Sequence, residues 1–514
     1  MTAFILRRLG VLGVILFGSS FLLYNLTALS SDPLEELRLS TDPSRDAQIA
    51  ALTRELQLDV PVPLRYFLWL RGVFGVFVGN PDFGTGRDGL AVIDSLTTAI
   101  PVTLRLVAAA TVFAAVLGIM IGIVTALRQY SRFDYSMTFI AFLLFSLPIF
   151  WVAVLLKEYL AISFNNFLVD PQIPFNWVIG IGLFSGLFWA SVIGGSRKTF
   201  WTTYGVAFAV SSSLVAVLGS IDWLLDPSLG PIVILFLSIG IAFGVTQLSV
   251  GITNKAALRA SLVMAGLSVV AYYPANWVFD NHPGNLSIFL MICVLITTAV
   301  FVGLAFSKID RAPIVRTAII TAVLSASLVL VDKLMQTWKP YMATDAVNYR
   351  PVPTVGERSD LMDDSDFWIT SLDIVTHLFL PTLALTLIGF AGYIRFARGT
   401  LLEVLNQDYI RTARAKGLTE RTVIMRHAFR NTMIPMATIL VADFAAVIGG
   451  AFITESVFAW SGMGTLALQA IRSQDLNLLM GVFFVTATMA VLANFVADLL
   501  YSALDPRIRV GSGA

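Results

Sequence analysis

Charge is scarce in this sequence. Of its 514 residues only 13% are charged and 57% are hydrophobic, whereas soluble domains carry about 25% charged residues. That ratio excludes an ordinary soluble domain and points to an integral membrane protein. Cysteine is almost missing. Cys293 stands alone inside an apolar run, so it can form no intrachain disulfide and has no companion for a thiolate metal site. The three histidines, His282, His377 and His427, lie far apart in sequence, which argues against a histidine metal centre. A net charge of +1 offers no global attraction to nucleic acid. The segment GGSRKT at 194–199 lacks the glycine immediately before Lys198 that a phosphate cradle needs, so it reads as a short basic turn. No catalytic residue and no metal ligand is assigned.

What the sequence has in abundance is long apolar runs. A hydrocarbon core of about 30 Å needs about 20 apolar residues per helix. Twelve runs qualify: 9–29, 102–126, 136–160, 177–194, 202–221, 231–252, 260–279, 286–306, 315–332, 372–394, 433–453 and 479–503. The first follows Arg7 and Arg8 and is longer than the apolar core of a signal peptide, usually about 7–15 residues, so it reads as a retained span. Orientation follows from the Lys and Arg of the short connections. With the N-terminus cytoplasmic, Arg7/Arg8, Arg128/Arg132, Arg197/Lys198, Lys255/Arg259, Lys308/Arg311/Arg316, the stretch 395–432 and Arg507/Arg509 all fall inside. The outside connections FNNFLVDPQIPFN, DWLLDPSLG and DNHPGN contain none. Both termini are therefore expected in the cytoplasm of a multi-pass cell-membrane protein.

Two outside segments are long enough to fold. Residues 30–100 include DPSRDAQIAALTRELQLD, where Ile49, Leu52 and Leu56 follow helical spacing after Ser44. Residues 333–370 are polar and read as a solvated loop. Small residues at Gly118/Gly122, Gly182/Gly186 and Gly240/Gly244 permit close helix approach without indicating function. Asp443 falls mid-span, where a carboxylate is costly. Two readings stand side by side: a residue of a polar path, or a structural carboxyl paired with a group such as Asn494. Lys157 and Glu158, near an outer boundary, read as snorkelling.

The least expected stretch is DYIRTARAKGLTERTVIMRHAFRNTMIP, Asp408 to Pro435, between two apolar runs. It carries Arg411, Arg414, Lys416, Arg421, Arg426 and Arg430 against two acids, Asp408 and Glu420. Gly417 can close one helix in a left-handed conformation and Thr419 can cap the next, expected over Leu418–Arg430. Charge alone leaves open an interfacial helix that merely satisfies the positive-inside bias.

Several motifs in order narrow the choice. Arg411 to Gly417 keeps the second Ala (Ala413) and the Gly (Gly417) of an E-A-A, three residues, Gly pattern. LLEVLNQDY, YIRTARAKGL, HAFRNTMIP, ITESVFAWSGMG at 453–464, DPRIR at 505–509, FILRRLG, and RELQLDVPVPLRYFLWLRGVFGVFVGNPDFGTG at 54–86 accompany it. Together they resemble membrane permease subunits of binding-protein-dependent ABC importers, in particular first-type permeases of the dipeptide/oligopeptide/nickel branch. The match covers about 1–160 and 370–510. Ser461 stands where the family usually has Pro, which allows a looser turn.

The resemblance implies an all-α polytopic protein with a six-span permease core and about six additional spans inserted between core spans three and four. Its divisions are 1–165 (core spans one to three, external loop 30–100), 166–366 (inserted bundle plus external loop) and 367–514 (core spans four to six, cytoplasmic coupling loop 395–432). It further implies an ATPase-coupling surface at Arg411, Thr412, Ala413, Ala415, Lys416, Gly417, Leu418, Thr419 and Arg421, and a translocation path or gate at Asp443, Glu455 and Phe458. Expected partners are a second homologous permease, two ATPase subunits or domains, an extracytoplasmic substrate-binding protein and membrane lipid, without nucleic acid. The chain itself is expected to hold no cofactor and to be no enzyme, since ATP and Mg belong to the ATPase subunits. The competing class is a self-contained twelve-span secondary transporter, against which the two halves show no repeat. A membrane enzyme within 166–366 is the third, against which that region lacks His–Glu–His and G-x-S-x-G spacing. The inserted region is left open among scaffold, partner docking and an activity of its own.

Overall fold

The computed structural model describes residues 2–504 apart from 31, 40, 308–310 and 364, with the backbone alone at 2–6, 8, 9, 36, 445–450 and 497–504. The DPRIR motif and Arg507/Arg509 lie outside the described residues, as does the Asp498 side chain. Among the described residues the chain is all-α, with a single isolated bridge between Thr85 and Ala91. In chain order the helices are α1 Thr2–Ser30, α2 Arg45–Glu55, α3 Val62–Val73, α4 Val92–Leu127, α5 Arg132–Ser146, α6 Ile149–Leu156, α7 Phe175–Ile193, α8 Arg197–Ser220, α9 Gly230–Ser249 and α10 Lys255–Val270. There follow α11 Tyr272–Asn281, α12 Asn285–Phe306, α13 Arg311–Gln336, α14 Phe367–Leu405, α15 Asp408–Ala415, α16 Phe429–Gly450, α17 Phe452–Phe458, α18 Met463–Arg472 and α19 Leu476–Leu504.

Among the described residues ten helices are long and apolar enough to cross a membrane, and eleven if the bent pair α10 and α11 counts as one span. That pair bends by 45° because Pro274, in the first turn of α11, has no N–H to continue the α10 ladder. The run 136–160 is not one helix. Pro148 forces Leu147 into an extended conformation, so α5 ends at Ser146, and the span-length stretch is Ile149–Val169, α6 continued through a π turn at Lys157–Ile162. The run 433–453 forms α16, whose last six side chains lie outside the described residues.

The chain divides into two compact units. Unit one comprises Met1–Leu160, Thr354–Glu357 and His377–Ala514. Its core beneath the loop 30–100 is aromatic: Tyr24, Tyr66, Trp69 and Phe83 pack with Leu96, Met463 and Met480, and Tyr66 shares a 2.8 Å hydrogen bond with Ser20. Arg87 ties the loop down, its N–H donating to Asp475 at 2.6 Å and its guanidinium to the Ser473 carbonyl at 2.6 Å. Within the loop α2 forms as expected, but the Ser44 side chain does not cap it and instead bonds Asp42 at 2.7 Å. The Gly118/Gly122 pair brings α4 against α14: a Cβ at Gly122 would lie 2.8 Å from the Ala397 Cβ. Nearby, Arg398 of α14 grips the buried Asp134 of α5 through two hydrogen bonds, 2.8 and 3.0 Å.

Unit two comprises Ala161–Pro353 and Arg358–Thr376. Gly182 and Gly186 let α7 approach Phe208 and Tyr204 of α8, whereas Gly240 and Gly244 meet nothing within 4 Å. Helices α10, α12 and α13 share a core of small residues, among them Ala257, Ala260, Ala299 and Ala318. Asp332 of α13 is fully buried and satisfied, accepting from Tyr272 at 2.6 Å and from the Leu229 N–H that opens α9 at 2.6 Å. Residues 333–370 are more than a solvated loop. Asp373 accepts from the Ser359 N–H and hydroxyl at 2.9 and 2.7 Å and from the buried Tyr341 at 3.1 Å, so a carboxylate orders the segment together with an apolar cluster of Tyr341, Val347, Met362 and Leu372.

Candidate functional site

The basic stretch folds as two helical segments joined at one glycine. The first, α15, ends at Ala415, and Gly417 follows at φ +75° with its N–H bonded to the Arg414 carbonyl at 2.9 Å. Left-handed backbone of this kind disfavours any Cβ. Thr419 accepts from the Thr422 N–H at 3.4 Å and opens the second segment. That segment is not a separate short helix over Leu418–Arg430. It begins at Glu420, passes through a π turn at Val423–Ala428 and runs into α16 without a break, even though Pro435 lies inside that helix.

Which side chains face outward follows from the packing below. Ile410, Ala413, Val423 and Ala428 form one buried cluster with Leu401 and Ala126. Ala413 therefore packs inside this chain and does not belong to an exposed docking face. Arg411, Thr412, Ala415, Lys416, Gly417, Leu418 and Thr419 form a continuous exposed ridge, with Arg421 half-buried behind it. Arg414 folds back onto Glu420 through two hydrogen bonds, 2.6 and 3.1 Å. The hydrogen bond from Arg414 holds the Glu420 carboxyl below its ordinary range.

On the far side of α16 the sequence builds a different device. Glu455 of α17 is fully buried. Its carboxylate accepts from the Thr103 hydroxyl at 2.6 Å, the Gly464 N–H at 2.8 Å and the Thr465 N–H at 3.0 Å. The same Thr103 oxygen accepts from the Met463 N–H at 2.8 Å. A Cβ at Gly462 would strike the Glu455 carboxylate, and one at Gly464 would strike Phe452 first and the carboxylate next. The turn around Ser461 is thus pinned rather than loose, and the Trp460 N–H closes it on the Glu455 carbonyl at 2.8 Å. Phe458 is buried, with Lys157 above its ring at 5.7 Å and bonded to the Val457 carbonyl at 3.0 Å. Lys157 is therefore an anchor of this turn and does not snorkel.

Asp443 lies on α16, half-buried, beside the buried Tyr393 of α14. The Tyr393 hydroxyl makes no hydrogen bond of standard geometry, which leaves the carboxylate as its polar neighbour. Asn494 instead donates to the Ala490 carbonyl at 3.0 Å. Glu455 and Phe458 thus share one short helix, while Asp443 stands apart on α16.

Comparison with known proteins now decides the class. The sequence model of the family described as "Binding-protein-dependent transport system inner membrane component" matches residues 118–510. The chain belongs to that family. Among its relatives is the oligopeptide transport system permease protein OppB of Mycobacterium tuberculosis, 27% identical over 510 residues that span 99% of this chain and 100% of the relative. Another is the dipeptide transport system permease protein DppB of Escherichia coli K12, 38% identical over 180 residues, 32% of this chain and 53% of the relative.

For a permease of this family the residues alone give no sign of Thr103 or Tyr393, and they place Lys157 at the membrane boundary instead of in this turn. Thr103 and Glu455 are 352 positions apart, beyond any local pattern. The G-M-G of 462–464 was the one available signal, since two glycines so close to an acid mark a tight approach.

Proposed function

We propose that this chain is a transmembrane subunit of an ATP-driven importer of di- and oligopeptides, forming the translocation path with a second, homologous permease. The exposed ridge from Arg411 to Thr419 carries the reading. It is basic and exposed, and a Cβ at its glycine would meet nothing within 4 Å among the described residues. Such a ridge suits the groove of a separate ATPase subunit, where Arg and Lys offer charge-assisted hydrogen bonds. Two ATPase subunits or domains hold ATP and Mg and do the hydrolysis, and this chain contributes no catalysis and no cofactor site. An extracytoplasmic binding protein delivers the peptide. The names of the relatives support peptide as cargo, and the basic inside segments support cytoplasmic N- and C-termini in the cell membrane. Residues 166–366 are an appended bundle between core spans three and four.

Affinity purification of the tagged chain from native membranes tests this. The expected result is recovery of an ATPase and a second permease, with ATP-dependent peptide uptake on reconstitution with the binding protein. Peptide uptake by the chain alone, driven by an ion gradient and without ATP, would establish the secondary-transporter reading instead.

A further inference from the structure

Unit two carries two open grooves of similar size and different chemistry. One, of about 430 Å³, runs along α7 and α8 past Trp189, Ile193 and Val206, and no charged residue lines it. The other, of about 500 Å³, runs along α12 and α13 past Leu304, Val315, Ile319 and Ile320, and is also lined by Arg311 and Arg316. Its floor is rigid. At Gly303 the two helices approach so closely that a Cβ would lie 2.7 Å from the Val315 Cα.

Length and charge together select an occupant. Arg311 to Ile320 spans nine residues, or about 14 Å along a helix axis, close to one leaflet of a hydrocarbon core of about 30 Å. The groove therefore begins at one membrane interface with two guanidiniums and continues as apolar wall to about mid-bilayer. Among the described residues neither Arg311 nor Arg316 makes an ion pair or side-chain hydrogen bond. Arg316 sits more than a turn into α13, where an unpaired charge beside hydrocarbon is costly. Lys255 and Arg259 add positive charge at the same end, since Ala257 and Ile314 share one core. Guanidinium forks match phosphate oxygens bidentately, and basic pockets between spans suit anionic headgroups.

We propose that this groove holds one anionic phospholipid, its phosphate between Arg311 and Arg316 and an acyl chain along Leu304, Val315, Ile319 and Ile320. The α7–α8 groove, equally apolar but uncharged, is the built-in contrast and takes neutral lipid without preference.

Native mass spectrometry of the full chain released from nanodiscs of phosphatidylcholine and phosphatidylglycerol tests the assignment by counting retained lipids. Wild type is expected to retain phosphatidylglycerol preferentially. Arg311→Ala/Arg316→Ala is expected to lose about 30-fold in that preference. Ile319→Trp fills the groove while leaving both charges, and is expected to lose the retained lipid. Arg197→Ala/Lys198→Ala, at the start of α8, is expected to change nothing. Equal retention of the two lipids by wild type, unchanged retention in either groove variant, or an equal loss in the α8 variant would overturn the proposal.

Discussion

The stretch 408–430, inner on the proposed orientation, and the turn 452–465, outer on it, are both helix–turn–helix elements with glycine at the bend, and they put it to opposite uses. Gly417 meets nothing within 4 Å and is needed for its left-handed backbone. Gly462 and Gly464 are needed because the Glu455 carboxylate and, at Gly464, Phe452 occupy the space a Cβ would take. The inner stretch turns its charge outward, and the pairs Arg411–Asp408 and Arg414–Glu420 are both exposed. The outer turn buries its charge and satisfies it with three donors. Exposed charge around an unconstrained glycine suits binding to something outside the chain, while buried charge around crowded glycines holds a fixed shape.

The comparison fails most visibly if the outer turn survives loss of its carboxylate. Glu455→Ala leaves the Thr103 hydroxyl and the Gly464 and Thr465 N–H groups without their acceptor. At about 1–3 kcal/mol per unsatisfied buried group, the expected loss is roughly 3 kcal/mol or more. Thermal unfolding of the purified chain should show a large drop in midpoint, and a midpoint equal to wild type would mean that the buried carboxylate does not hold the turn.

Next in size is Gly417→Trp. The left-handed backbone costs a residue with a Cβ about 1–2 kcal/mol, but the side chain would enter open space, so insertion and assembly should persist. The expected outcome is ATP hydrolysis by the complex with peptide uptake lost. Gly417→Asn, which tolerates this backbone and adds little bulk, should keep most of the uptake. Wild-type uptake by Gly417→Trp would mean that this glycine does not lie on a docking face.

Asp443 lies between the two devices and sharpens the contrast, because it is neither fully satisfied nor exposed. Asp443→Ala is expected to lower the peptide transport rate several-fold without reducing the amount of assembled complex, read as uptake per complex in proteoliposomes. Transport at the wild-type rate would make Asp443 only a packing partner of Tyr393.

These two regions also mark what a sequence can disclose. The inner stretch was legible because charge density, a glycine and a capping threonine are local signals; only the inward turn of Ala413 and the unbroken run into α16 escaped. The outer turn was legible as a motif but not as a mechanism. Glu455 draws its decisive donor from Thr103, and Arg398 reaches Asp134 across 264 positions. Contacts at such separations are fixed by how helices pack. The helical runs themselves were readable from hydropathy, except where Pro148 and Pro274 interrupt them. Proline's missing N–H acts through a single residue that an averaged window hides.

The smallest expected effect concerns one of the pairs that the inner stretch makes with itself. Arg414 and Glu420 are 43% and 56% exposed, and pairs so exposed contribute at most about 0.5–1 kcal/mol. Glu420→Gln removes the charge and keeps the shape, so uptake should stay within about twofold of wild type, a shift within that range. The sign of the pH dependence is fixed. The Arg414 hydrogen bond lowers the Glu420 pKa from 4.5, so the pair's contribution is complete above that value and is lost as pH falls through the lowered one. Between about pH 6 and 8 the pair should therefore be invariant, and hydrogen exchange of the 416–422 backbone should not change with pH beyond its intrinsic rate. An Arg414→Ala variant that abolishes uptake where Glu420→Gln leaves it intact would show that Arg414 works outward, toward a partner, and would move it onto the docking ridge.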